Sequence, residues 1–507
     1  MIKKKIVRVL TVAGLLACLA SGCASGGSSV GKEAAADEIK KGGFTVAASC
    51  HDPQIIREGN TYYMFGSHMV GAKCQDLRKW NYFANGVDAA NTLFDNLLTE
   101  PYAAFDFVGK NTDNGYSVWA SNVIYNETMK KYVMYFCTTS SYVKSTLCFA
   151  TADNIEGPYT YVDTILYSGY GKSNISETNL YDVLGKNADI SRYLEYGGYN
   201  NKEWPNCIDP AIFTDADGRM WMNYGSWSGG IFLLEIDPTT GYPIYPVDDK
   251  DADPYYGYRL IGGGHHSAEG PYIQYDAENG YYYLFVSYGD LQSDGGYQIR
   301  QFRSEKPTGP YVDVAGNTLE DQDDHFNYGL KMIGNYTFPS LNYTYMAPGG
   351  QSTFQDDDGK YYITYHQRFD DGTEYHEPRV HQMYTNEDGW FVAAPFATMG
   401  ETLSEKGYKK SDVSGTFYVV NHGTDISSKI REAEAYAFAD GKVTGGEKSG
   451  TYEVKEGTDY ITITLDGVVY KGVLMEMTDE AENPVFCFSA AGDNEETLWG
   501  VQYIKKE

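Results

Sequence analysis

Between Gly43 and Ala397 apolar and polar positions alternate with period two, and Tyr, Thr, Val and Gly dominate, a pattern that predicts strands and leaves no room for long helices. One unit recurs five times. A polar or acidic residue precedes a short apolar run, a turn rich in Asp, Asn and Gly follows, and a Tyr-rich run ends in small or polar residues. The copies are HDPQIIREGNTYYMFGSH from His51, SNVIYNETMKKYVMYF from Ser121, IDPAIFTDADGRMWMNYGSW from Ile208, AEGPYIQYDAENGYYYLFVSYG from Ala268 and GQSTFQDDDGKYYITYHQRF from Gly350. Each reads as a β-hairpin. The starts lie 60 to 90 residues apart with further strand-like runs between them, which predicts several-stranded sheets stacked radially: a five-bladed β-propeller. A sandwich needs no such long period, and a β-helix repeats over far fewer residues. The Asp-rich turns at Asp215 and Asp356 lack the downstream ligands of a calcium loop and read as hairpin turns.

The pattern changes outside this region. Residues 398–507 hold runs such as DYITITLDGVVYKGVLMEM and TLWGVQYI, expected to form a small β-barrel or sandwich module. At the other end, Lys3, Lys4, Lys5 and Arg8 precede an apolar run from Val9 to Ala20, too short to span a membrane as a mature helix. Residues 1–22 therefore read as a signal peptide. Ala20-Ser21-Gly22-Cys23 resembles a lipoprotein cleavage site, so a lipid anchor on Cys23 at the cell surface is expected, with ordinary secretion as the alternative. Residues 23–42 are small, polar and charged, as in a flexible tether.

Without the signal, 36 Lys and Arg face 69 Asp and Glu, a net charge of −33. Such a surface repels polyanions, which makes nucleic acid and anionic lipid poor partners and leaves neutral polymers acceptable. Besides Cys23, six cysteines remain at 50, 74, 137, 148, 207 and 487, with no metal-ligand spacing, and read as buried thiols.

In a propeller the first strand of each blade lines a central channel, so Asp52, Asp209 and Glu269 are expected to converge although far apart in sequence. Three carboxyls in one pocket disfavour one another's ionisation. Glycoside hydrolysis uses such a set: one carboxylic acid protonates the leaving oxygen, a carboxylate activates water or attacks the sugar, and a third raises the acid's pKa.

The motifs HDPQIIREGNTYYMFGSH, NCIDPAIFTDADGRMWMNYGSWSGGIFLLEIDPTTG, SAEGPYIQYD and YHQRF resemble glycoside hydrolase family 43, and within it the larger extracellular endo-α-1,5-L-arabinanases. That resemblance implies a five-bladed propeller and an inverting mechanism, with Asp52 as general base, Glu269 as general acid, and Asp209 tuning Glu269 and orienting substrate. It also implies sugar contacts at Gly115, Trp119, Asn206, Cys207 and Ile208. Further contacts fall on Ser226, Trp227 and Ser228, and on His265, His266, Ser267 and Ala268. His366 is implied to hold a calcium ion in the channel, largely through waters. The expected partner is neutral arabinan, the expected state a monomer, and contact with membrane is expected only through the anchor. Departures are present: Asn122 stands where a fourth channel carboxylate is usual, and Pro348-Gly349-Gly350-Gln351-Ser352 replaces a Gly-His-Asn-Ser. An exo-acting arabinofuranosidase or β-xylosidase, and a non-catalytic glycan-binding lipoprotein, stay open as alternatives.

Overall fold

The computed structural model describes residues 30–319 and 328–506. The signal peptide and Cys23 lie outside them. Four four-stranded antiparallel sheets, at 54–84, 117–167, 211–261 and 268–333, and the four consecutive antiparallel strands at 345–393 of a six-stranded sheet form blades 1 to 5. Their first strands touch one another in a ring that closes between blades 1 and 5. The chain is all-β: its one α-helix among the described residues is Leu180–Leu184.

Alternation explains why blades stack. Each central strand is apolar on both faces, as in Lys131–Ser141 with Tyr132 through Thr138 all buried, so each sheet needs a neighbour on either side. The turns behave as read. Asp215 accepts from the backbone of Asp217 and Arg219 while Gly218 takes φ 82°, and Asp356 and Gly359 repeat the device. No strand is exchanged between blades 1 and 5. Side chains close the ring instead: Arg57 pairs with Asp356, Tyr62 donates to Asp356 at 2.6 Å, and Ser352 donates to the Pro53 carbonyl at 2.8 Å.

Beyond blade 5 the chain forms a closed eight-stranded barrel from Gly415–Asn421 to Thr497–Tyr503. Its interior is filled by Phe417, Phe438, Phe486 and Phe488 with their neighbours. Trp499, Met475 and Val501 on the outer face pack against Tyr336, Phe391 and Phe396 of the propeller. Tyr336–Thr337 extends blade 5 to Arg431–Glu432, so a continuous sheet joins the two units.

The tether expected over 23–42 is corrected for its described part. Ala34 N–H donates to the Tyr503 carbonyl at 2.8 Å, Lys505 pairs with Glu38, and Gly42 bridges to Leu341. The segment is held by isolated backbone bridges and a short 3-10 turn at Ala36–Glu38, so few of its side chains need burying and a polar composition suffices.

Arg379 is fully buried where blade 5 meets the barrel, 2.9 Å from Glu377 and 4.0 Å from Glu480, with its guanidinium 4.5 Å from the Phe44 ring centre. Removing it strands two buried carboxylates. Arg379→Ala is therefore expected to lose about 3–5 kcal/mol, read as an earlier thermal transition and as faster amide exchange along this junction.

Candidate functional site

The first residue at the mouth of every blade's inner strand lies in the left-handed region: Asp52 (φ 53°), Ala120 (43°), Asp209 (56°), Gly270 (56°) and Gly350 (57°). Left-handed backbone costs a non-glycine residue about 1–2 kcal/mol, and five equivalent instances show that the bend is structural. It turns each strand end inward onto a central channel of about 40 Å³. Asp52 and Asp209 are thus true equivalents. Glu269 is not: Gly270 holds the matching position, and Glu269 precedes it, where the pairing with the next strand slips between Glu269 and Tyr272. The expectation of three equivalent acids is corrected in that respect, but all three meet around the channel.

Their surroundings differ. Asp52 Oδ2 lies 2.7 Å from His51 Nδ1 and accepts from Ser67 Oγ at 2.5 Å. Burial raises its pKa, but His51 and the Ser67 hydroxyl outweigh that and hold it below the usual carboxylate range. Asp209 accepts from Gly270 N–H at 3.1 Å, and burial together with Asp52 and Glu269 pushes it well above that range. Glu269 accepts from Tyr297 OH at 2.6 Å, Trp227 Nε1 at 2.8 Å and Ser226 Oγ at 3.1 Å. Burial still raises it, with Asp52 adding to the shift. Three carboxyls around one channel disfavour one another's ionisation; Asp52 is the one held low, while Asp209 and Glu269 are both raised.

The other expected residues divide. Trp119 stands at the mouth, with His68 4.7 Å and His51 6.2 Å from its ring. Trp227, His265, His266, Asn206 and Ile208 are partly exposed near the acids. Cys207, Ser228, Ser267 and Ala268 are buried. Cys207 N–H donates to Ser168 Oγ at 3.0 Å, and its thiol packs under the Asp209 strand. Ser226 is buried as well and serves Glu269. Gly115 belongs to a loop closed by Asn111, whose Oδ1 accepts its N–H at 2.9 Å. Asn122, at the place of the missing acid, accepts from Ile212 N–H at 3.2 Å. Sequence reading missed Ser67, Tyr297 and His376. Only His51, beside Asp52 in HDP, carried a local signal.

His366 is fully buried, and neither ring nitrogen has a partner among the described residues. His51 stacks on it at 4.2 Å, and His51, Asp52 and His366 place one ligand atom each within 4.8 Å of one another. Gly350 keeps the space open: a Cβ there would lie 2.3 Å from Asp52 Oδ1 and 2.8 Å from His366 Nδ1. Burial, then His51, pushes His366 well below its ordinary pKa, so it offers a lone pair rather than a charge.

A propeller that sets a carboxyl of lowered pKa and one of raised pKa at one channel mouth has the apparatus of a glycoside hydrolase. Residues 183–391 match glycosyl hydrolases family 43 and residues 395–500 its C-terminal lipocalin-like domain. The extracellular endo-α-(1→5)-L-arabinanase 2 of Bacillus subtilis is 38% identical, over 89% of this chain and 92% of that protein. The extracellular endo-α-(1→5)-L-arabinanase of Thermotoga petrophila is 37% identical, over 90% and 94%. A family 43 glycoside hydrolase of Bacillus licheniformis superposes with a TM-score of 0.79 at 36% identity, over 91% of this chain and 99% of that one. The chain belongs to glycoside hydrolase family 43.

Asp209 carries a raised pKa, so folding loses stability as pH climbs through its folded value, having been unaffected below its unfolded one. Asp209→Asn removes that loss. Its Tm is expected to exceed wild type by about 2 °C at alkaline pH and by less near pH 4, measured by scanning calorimetry across pH.

Proposed function

We propose that this protein is an inverting endo-arabinanase, cutting internal α-1,5-L-arabinofuranosidic bonds of arabinan outside the cytoplasm. The observation that carries the reading is the opposed setting of two carboxyls at one mouth: Asp52, bonded by His51 and Ser67, is held low, and Glu269 is raised by burial. Asp52 takes a proton from water as it attacks the anomeric carbon, and Glu269 gives its proton to the departing oxygen. Asp209 acts on Glu269 through the Gly270 N–H and competes with it for a proton. The activity and extracellular location of the two arabinanase relatives support the substrate and the compartment. The basic, apolar start ending in Cys23 supports a lipid-anchored surface form, and the acidic surface suits a neutral polymer.

A hard cation in the channel fits the His51, Asp52 and His366 group, the unpartnered imidazole of His366 and the space opposite Gly350. Calcium with a mostly aqueous shell, accepted by His366 through water and by Asp52 directly or through water, would supply positive potential beside the carboxyls.

Debranched arabinan is expected to yield mixed oligosaccharides, the mark of internal cuts; arabinose alone would show end-wise attack, and no release would leave a binding protein. Asp52→Asn and Glu269→Gln are each expected to lower kcat by about 10³-fold with the thermal transition retained. Calcium is expected to raise the wild-type Tm, and a chelator to reverse it. His366→Ala is expected to abolish that shift.

A further inference from the structure

The hairpin tip of blade 2 carries a tyrosine that reaches across the groove. Tyr142 sits between Lys131–Ser141 and Lys144–Ala152, 61% exposed, beside Val143 at φ 56°. A β-branched residue in that region is an outlier that surrounding structure must impose. Here the surroundings do so: Ser168 Oγ donates to the Val143 carbonyl at 2.8 Å, and a Cβ on Gly169 would lie 2.4 Å from the same oxygen. Ser168 also accepts from Cys207 N–H at 3.0 Å, which ties this turn to the strand that presents Asp209.

Opposite it stands His265, likewise left-handed at φ 71°. The Tyr142 hydroxyl lies 2.7 Å from a ring nitrogen of His265, and Asn201 Nδ2 donates to that hydroxyl at 3.2 Å. The His265 ring is 5.6 Å from that of Trp227, which donates to Glu269. A continuous wall therefore runs from Glu269 through Trp227 and His265 to Tyr142. Asn201 belongs to the lobe at 170–204, anchored on an aromatic core with Tyr193, Trp204 and Tyr256, and Lys202 fixes the His265 loop by accepting from Gly264 N–H at 2.9 Å.

Inversion assigns a side to this wall. Water attacks from the Asp52 side, so the leaving oxygen and the chain behind it depart on the Glu269 side. We propose that Tyr142, held by His265 and Asn201, is a specificity-determining residue for the leaving-group half of the polymer, offering its exposed ring to an arabinofuranose face and its hydroxyl network to the sugar hydroxyls. The inference rests on Glu269 being the acid.

Tyr142→Ala is expected to raise KM for debranched arabinan about fivefold, with kcat falling about twofold or less. Arabinohexaose labelled at its reducing end is expected to be cut closer to the label, because fewer sugars are gripped beyond the acid. Tyr142→Phe, which keeps the ring and loses the bridge, is expected to shift both in the same direction by less. An unchanged KM and cut position, or a fall in kcat alone, overturns the proposal. Should wild type leave arabinan intact, the acid assignment fails and the wall is judged by calorimetry: arabinohexaose binding to Glu269→Gln must weaken when Tyr142→Ala is added, and equal binding overturns it.

Discussion

The left-handed residue at the mouth of each inner strand is the constraint on which the site depends. An extended strand would carry Asp52 and Asp209 straight out of the blade end; the bend at φ 53° and 56° swings them over the channel. Elsewhere in the ring the same bend is filled by Ala120, Gly270 and Gly350, so the geometry belongs to the propeller and the acids occupy two of its five places. Local strain of this kind persists only where packing over-determines it. The interleaved blades, the Arg57 to Asp356 closure and the barrel seated on blade 5 supply that packing.

The same convergence creates an electrostatic conflict that the chemistry uses. Asp52 gathers His51 and Ser67; Asp209 has little beyond one backbone donor; Glu269 collects three hydroxyl or indole donors yet stays raised by burial. A set of carboxyls forced together in one small space is unfavourable for stability, and their pKa values are pushed apart, Asp52 down and the other two up. His366, unpartnered in the channel below, is the place where a cation would relieve the remaining negative charge.

Much of this was legible in the chain. Period-two alternation and the fivefold return of one hairpin gave the propeller, because each blade must bury both faces; the Asp-Pro pairs at 52 and 209 marked the strand mouths. Three things were not legible, each for a physical reason. A one-residue slip of register at Glu269 is set by a bulge, which the sequence pattern does not encode. How deeply Cys207, Ser228 and Ala268 are buried depends on packing from other blades, which the local sequence does not show. Tyr297 and Tyr142 reach the site from positions with no local motif, the first from the third strand of blade 4 and the second from a hairpin tip. Residues 30–42 read as a tether because a segment held by isolated backbone bridges needs few apolar side chains.

The central claim is that Asp52 delivers water from the face opposite the bond that Glu269 protonates. Proton NMR of an arabino-oligosaccharide digest, recorded before mutarotation, tests it most directly. The account predicts that the newly formed reducing end appears first as the β anomer. First appearance of the α anomer would mean retention, require a carboxylate to bond the sugar, and contradict the roles given to both residues.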